Sequence, residues 1–197
     1  MAEEGYIKFR CLFSEKNCVE SQEIKEINFW RRRLCSIGLI GANENGIGFG
    51  NISRRTGDKE FIITGSGTGK YNKLGTEHYS KVIGWDIDKN LVECVGLISA
   101  SSEALTHAAI YEKERSVKAV VHTHHNVLWS NLKNKYRVTA DYALFGTPEM
   151  AREIQRFLNI DKSENIIIMG GHKDGIITYG KSMTEAGNLI VAQLEEM

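Results

Sequence analysis

Three of the chain's six histidines fall within four positions, in the stretch AVVHTHHNVL (119–128). Side chains alternate faces along a β-strand, so His122 and His124 share a face, and His125, if the strand continues, takes the other. Two imidazoles on one face, roughly 7 Å apart, can close on a single metal ion. Taken alone, an HxH pair is as readily a polar strand end, solvated or bonded to backbone. His172 lies far away in MGGHKDGII, between two predicted strands. It is either an ordinary loop residue or the third imidazole of a three-histidine zinc site. Such a site keeps one position open, which serves catalysis or substrate binding and not a structural clamp.

Glu103 and His107, four apart in SSEALTH, share a helix face and can form a hydrogen bond or a common site. His107 by itself reads as a packing residue or a support to a ligand, and His78 and His125 as surface or packing. Ser101-Ser102-Glu103 opens that helix. A serine N-cap with a carboxylate in the first turn suits any helix, while a helix start with two hydroxyls also suits a phosphate.

Two glycine-rich stretches need the same double reading. GIGFGN (46–51) departs from the dinucleotide fingerprint because Asn51 stands where the third glycine belongs. GSGTGKY (65–71) departs from the P-loop at Thr64 and again at Tyr71. Both offer backbone N–H groups in tight turns that can cradle an anion. Both also fit hairpin or bulge glycines.

These residues must be positioned by a layered scaffold. Residues 6–13 alternate as an edge strand would. Residues 21–37 carry Ile24, Ile27, Trp30, Leu34 and Ile37 at helical spacing, with Ser21 as N-cap and Gly38 at the C-terminus. The basic run Arg31-Arg32-Arg33 then reads as the wet face of that helix. Strands are predicted at 47–53, 60–64, 82–87 and 91–95, the last two as a hairpin across Asp88-Lys89-Asn90. A helix follows at 102–113, a strand buried on both faces at 117–122, and a helix at 126–134. Thr147-Pro148 begins another helix. Strands at 165–169 and 175–179 precede a closing helix at 182–196. Strands and helices dispersed through the chain make a layered α/β protein around one central sheet.

At 197 residues, the chain fits one domain with a sizeable core. A formal net charge of zero leaves no electrostatic footprint for nucleic acid, and no apolar run approaches a membrane span. Four cysteines (Cys11, Cys18, Cys35, Cys94) without CxxC spacing read as reduced thiols of a cytoplasmic protein.

The order GNIS, TGSG, SSE with its helix, AVVHTH, YALFGTPE, then a late histidine before a glycine and the last helix, resembles the class II aldolase/adducin family. Within it, the chain is similar to the L-fuculose-1-phosphate aldolase type, over residues 22–196. The resemblance implies a three-layer α/β/α sandwich on a mostly antiparallel sheet, spanning 21–197. Residues 1–20 fall outside the resemblance and read as an N-terminal extension that adds an edge strand or a subunit contact. It further implies one Zn2+ per subunit, or another divalent metal, on His122, His124 and His172. Glu103 becomes the acid/base, and Asn51, Ser66, Gly67, Ser101 and Ser102 hold a substrate phosphate.

The activity implied is zinc-dependent aldol cleavage of a small phosphorylated ketose through a metal-stabilised enediolate, in a cytoplasmic homotetramer. A dehydratase or 4-epimerase on the same site is the alternative reaction, although the epimerases carry aspartate where Glu103 stands. A non-catalytic adducin-like binding protein is the alternative of a different class. Two departures stand out. Lys173 and Asp174 separate His172 from Gly175, where the family has glycine next. The loop bearing a tyrosine proton donor is missing, with Tyr136 and Tyr142 as poor substitutes.

Overall fold

The computed structural model describes residues 6–160 and 164–197, so the first five residues of the 1–20 segment lie outside the described residues. Its elements, in chain order, are β1 (Arg10–Glu15), α1 (Lys25–Ser36), β2 (Gly41–Ala42), β3 (Gly48–Phe49), β4 (Asn51–Gly57) and β5 (Glu60–Thr64). Then come β6 (Tyr79–Asp86), β7 (Leu91–Gly96), α2 (Ala104–Lys113), β8 (Ala119–His124), α3 (Asn126–Leu132) and β9 (Arg137–Val138). The chain closes with α4 (Pro148–Ile160), β10 (Ile166–Ile168), β11 (Gly175–Gly180) and α5 (Met183–Glu195).

Nine strands form one sheet in the order β1-β7-β6-β5-β4-β8-β11-β10-β9. Only β1 with β7 and β10 with β9 run parallel, so the sheet is mostly antiparallel. β8 lies between β4 and β11 with all six of its residues buried, which is why its sequence is apolar on both faces. On one face Val120, Phe61 and Ile63 pack with Leu105 of α2 and Ile154 of α4. On the other, Val121, Ile52 and Ile62 pack with Ile27 and Leu34 of α1 and Ile190 of α5. The result is the expected α/β/α sandwich. Strand alternation puts His122 and His124 on the Val120 side, toward α2.

Several local expectations shift. The first strand starts at Arg10, where pairing with Leu91 begins, rather than at residue 6. Ser21 does not cap α1. The Glu20 N–H donates to Glu23 Oε2 (2.9 Å), closing a separate turn, and the helix starts at Lys25. Gly38 does end it, at φ +77°, with the Leu39 N–H donating to the Leu34 carbonyl (2.9 Å). The strand expected at 47–53 is broken by Gly50. Its φ of +76° turns the chain, so β3 pairs with β2 in a small hairpin and β4 starts at Asn51, opposite His122. Arg31 does not belong to the wet face, because it is only 1 % exposed, whereas Arg32 and Arg33 are exposed.

His107 is wholly buried where α2 crosses β4. Its Nδ1 lies 2.7 Å from Ser53 Oγ, which is 2.8 Å from the Tyr111 hydroxyl. Burial pushes the imidazole down from 6.5 to about 4, so the fold holds it neutral. Unfolded chains take up the proton that the folded state refuses. The stability His107 supports is therefore complete above about pH 6.5 and lost as pH falls toward 4, by about 3 kcal/mol. Urea unfolding of metal-free protein at pH 7, 5.5 and 4 should show this loss. His107→Gln should reduce that slope without abolishing it, because buried His122 also refuses its proton, and an unchanged slope in the variant would assign it elsewhere.

Candidate active site

The β8 register carries two imidazoles to the same place, and the β10–β11 turn brings the third. β11 runs antiparallel to β8 with Gly175 opposite His124, so His172 lies just before the paired strand, over its end. Ring centroids are 4.8 Å apart for His122 and His124, 5.0 Å for His122 and His172, and 4.6 Å for His124 and His172. Gly175 makes this approach close: a Cβ there would come within 3.1 Å of the His122 ring, so the ring would have to give by a few tenths of an ångström. The Lys173-Asp174 interruption is absorbed in the turn. Asp174 adopts φ +67°, its carbonyl accepts the His125 N–H (3.0 Å), and its carboxylate accepts Asn126 Nδ2 (2.8 Å). His125 has left the strand and caps α3, accepting the Leu128 N–H.

α2 supplies the carboxylate. The expected serine cap with an acid in the first turn is not what forms. The helix begins at Ala104, so Glu103 is itself the N-cap residue, and its side chain makes no cap bond. Ser101 Oγ instead accepts the Glu103 N–H (3.3 Å). The Glu103 carboxylate, 2 % exposed, turns to the histidines. Its Oε1 lies 2.9 Å from His172 Nδ1 and 3.6 Å from His122 Nε2. Burial alone would push this carboxyl up, but the adjacent His122 and His172 imidazoles outweigh it and hold it below the ordinary carboxylate range. Burial pushes His122 down to about 3, against the opposing pull of Glu103, so its ring is neutral at physiological pH.

A neutral imidazole is the form that ligates a metal. His122 Nδ1 faces the Ile176 carbonyl at 3.3 Å, which favours a proton on Nδ1 and a lone pair on Nε2. That Nε2 lies 2.9 Å from His124 Nε2. Ligand nitrogens of all three histidines lie within 4.8 Å of one another. Three nitrogen donors around a buried point, with an anion beside them, fit a four-coordinate divalent ion with an open position.

A narrow cleft opens in front of this cluster. Its walls include Glu103, His122 and His172, together with Asn51, Gly67, Ser101 and Ser102. Asn51 Oδ1 is buried without a hydrogen-bond donor among the described residues. Ser66 is not among the wall residues, and its N–H is committed to the Ser99 carbonyl (3.0 Å). Tyr136 donates to Gln193 (3.1 Å), Tyr142 is 72 % exposed, and neither lines the cleft.

Two wall residues escaped the reading of the sequence. Phe49 stacks on His124 at 5.4 Å between centroids, and Phe145 on His172 at 4.4 Å. Both sit inside quoted motifs, FGN and YALFGT, and an aromatic residue among glycines was the available signal. Lys8, from the segment before β1, lies with Nζ 2.8 Å from the Phe145 ring centroid.

A ligand that binds only the folded state stabilises it. A divalent transition metal at a hundredfold its Kd should therefore raise the stability of chelator-treated protein by about 2.7 kcal/mol. His124→Ala should lose both that increment and stoichiometric metal in elemental analysis. An increment retained in the variant would mean that the ion binds elsewhere.

The chain has relatives both in sequence and in fold. The L-fuculose phosphate aldolase of Methanococcus maripaludis is 29 % identical over 153 residues, covering 70 % of this chain and 76 % of that relative. The fold matches the crystal structure of L-fuculose-1-phosphate aldolase from Thermus thermophilus with a TM-score of 0.66 at 21 % identity, over 89 % of this chain and 91 % of that one. It also matches a sugar-phosphate aldolase from Thermotoga maritima, with a TM-score of 0.64 at 19 % identity, over 87 % and 90 % of the two chains. The model of the class II aldolase and adducin N-terminal domain matches residues 43–196, which include every histidine and carboxylate of the cluster. The chain belongs to the class II aldolase and adducin N-terminal domain family.

Proposed function

We propose that the protein is a zinc-dependent aldolase that makes or breaks a carbon–carbon bond in a small phosphorylated ketose. The observation that carries this reading is the buried Glu103 carboxylate, 2.9 Å from one imidazole of a three-histidine cluster and open to the cleft. His122, His124 and His172 would hold the ion, which when bound supplies Lewis-acid polarisation of a carbonyl oxygen. In the condensation direction, Glu103 takes the proton from the carbon next to that carbonyl; in cleavage it returns it. Asn51, Gly67, Ser101 and Ser102 face the cleft as donors to the phosphate, with Ser66 beside them, and so fix the reacting carbon against Glu103. Phe49 and Phe145 keep the imidazoles in place and exclude water on the apolar side.

Dehydration remains a second reading on one observation: no tyrosine lines the cleft among the described residues to donate a proton opposite Glu103. The reading extends to a cytoplasmic homotetramer, supported by the family resemblance. It also treats residues 1–20 as an extension, supported by the position of β1 at the sheet edge.

Incubation with dihydroxyacetone phosphate and a panel of aldehydes, followed by product mass, tests the reaction. Addition of the aldehyde mass supports aldol chemistry, and loss of water from a sugar phosphate favours dehydration. Glu103→Gln should lower turnover by about 10^2- to 10^4-fold with metal content unchanged. A variant that still exchanges the substrate's carbon-bound proton with solvent deuterium would remove Glu103 from that role.

A further inference from the structure

Arg31 lies on the buried face of α1 between Ile27 and Leu34 and is 1 % exposed. Its Nη2 donates to the Thr68 carbonyl (2.9 Å) and the Gly69 carbonyl (3.2 Å). Nη1 is enclosed and meets no acceptor among the described residues, and no carboxylate there pairs with the guanidinium. A buried cation without a counter-anion is a costly thing for a fold to keep. Two backbone carbonyls do not explain it, because they need donors, not charge, and a neutral amide would serve.

The residues that Arg31 grips give the explanation. Thr68 and Gly69 form part of the cleft wall, next to Gly67. Among the described residues that wall contains no lysine or arginine, so a phosphate held there would meet only neutral donors. We propose that Arg31 is the charge complement and positioning residue for the anionic group of the substrate, acting through the 67–69 backbone from behind the wall. This rests on the reading of the cleft as a phosphate cradle. The guanidinium pins the loop by its carbonyls and polarises the peptide units that carry them. Its desolvated charge adds a positive potential that an anion in the cleft neutralises.

Binding of glycerol phosphate to the metal-loaded, full-length protein, with glycerol as uncharged comparator, tests this by calorimetry. Wild type should bind the phosphate ester and not glycerol. Arg31→Met should keep metal stoichiometry and bind the ester about tenfold more weakly or worse, and Arg31→Lys should recover part of the loss. A purely structural role would lower the melting temperature while leaving ester affinity unchanged in the folded fraction. Equal affinity in wild type and Arg31→Met overturns the role of Arg31 alone. Should the methionine variant fail to fold, Arg31→Gln, which still donates but carries no charge, decides the matter, and wild-type affinity there overturns the proposal. No binding by wild type overturns the cradle reading and this inference with it.

Discussion

Three imidazoles and one carboxylate occupy a single buried volume, and the placement of the surrounding elements follows from that. A buried polar group left without a partner is costly. Here the partners come from β8, from the turn before β11, and from the start of α2, which are remote in sequence. β8 therefore has to be a central strand, braced by β4 on one side and β11 on the other. α2 has to begin where Glu103 can turn into the cluster instead of capping its own helix. The glycines at these crossings are where the elements come closest. Gly175 lies against the His122 ring, and a Cβ on Gly146, which has φ +69°, would strike the Ser102 carbonyl.

The cleft has two unlike halves. One is built from titratable side chains, the other almost wholly from backbone. In the second, the β2–β3 hairpin and the 65–69 loop interlock so closely that a Cβ on Gly48 would come within 2.9 Å of the Gly69 nitrogen. Glycine at both positions lets two backbones share one wall, and side-chain bulk at either would force them apart. Phe49 belongs to the hairpin and stacks on His124, so the backbone half also steadies the imidazole half. Loop and histidine cluster are one mechanical unit.

What could be read in the sequence was what depends on local period. Alternation placed His122 and His124 on one face, the apolar run foretold a strand buried on both sides, and Thr147-Pro148 marked a helix start that Thr147 does cap (Met150 N–H to Oγ1, 3.4 Å). The meeting of His172 and Glu103 has no local signature, because it depends on the β8–β11 register and on where α2 crosses the sheet. Family resemblance filled that gap. Arg31 was misread for the same reason. A basic triplet on an amphipathic helix looks solvated until a second element, here the 65–70 loop, is laid over one member of it. Gly50 broke a strand that propensity alone would have continued: it takes a left-handed φ, and a Cβ there would come within 2.8 Å of the Ile40 side chain.

The electrostatics then bear on which way a substrate lies. The chain is neutral in sum, yet its buried charges are sorted. An anionic carboxylate stands against the imidazoles, and a cation stands behind the 67–69 wall of the same cleft. On the proposed reading, a phosphorylated ketose has only one favourable orientation in that field. Its phosphate lies toward the 67–69 backbone and its carbonyl toward the histidines. The reverse orientation would bring two anions, phosphate and Glu103, together in a desolvated space, where repulsion is strong. Orientation is thus imposed by charge placement before any contact with the variable part of the substrate.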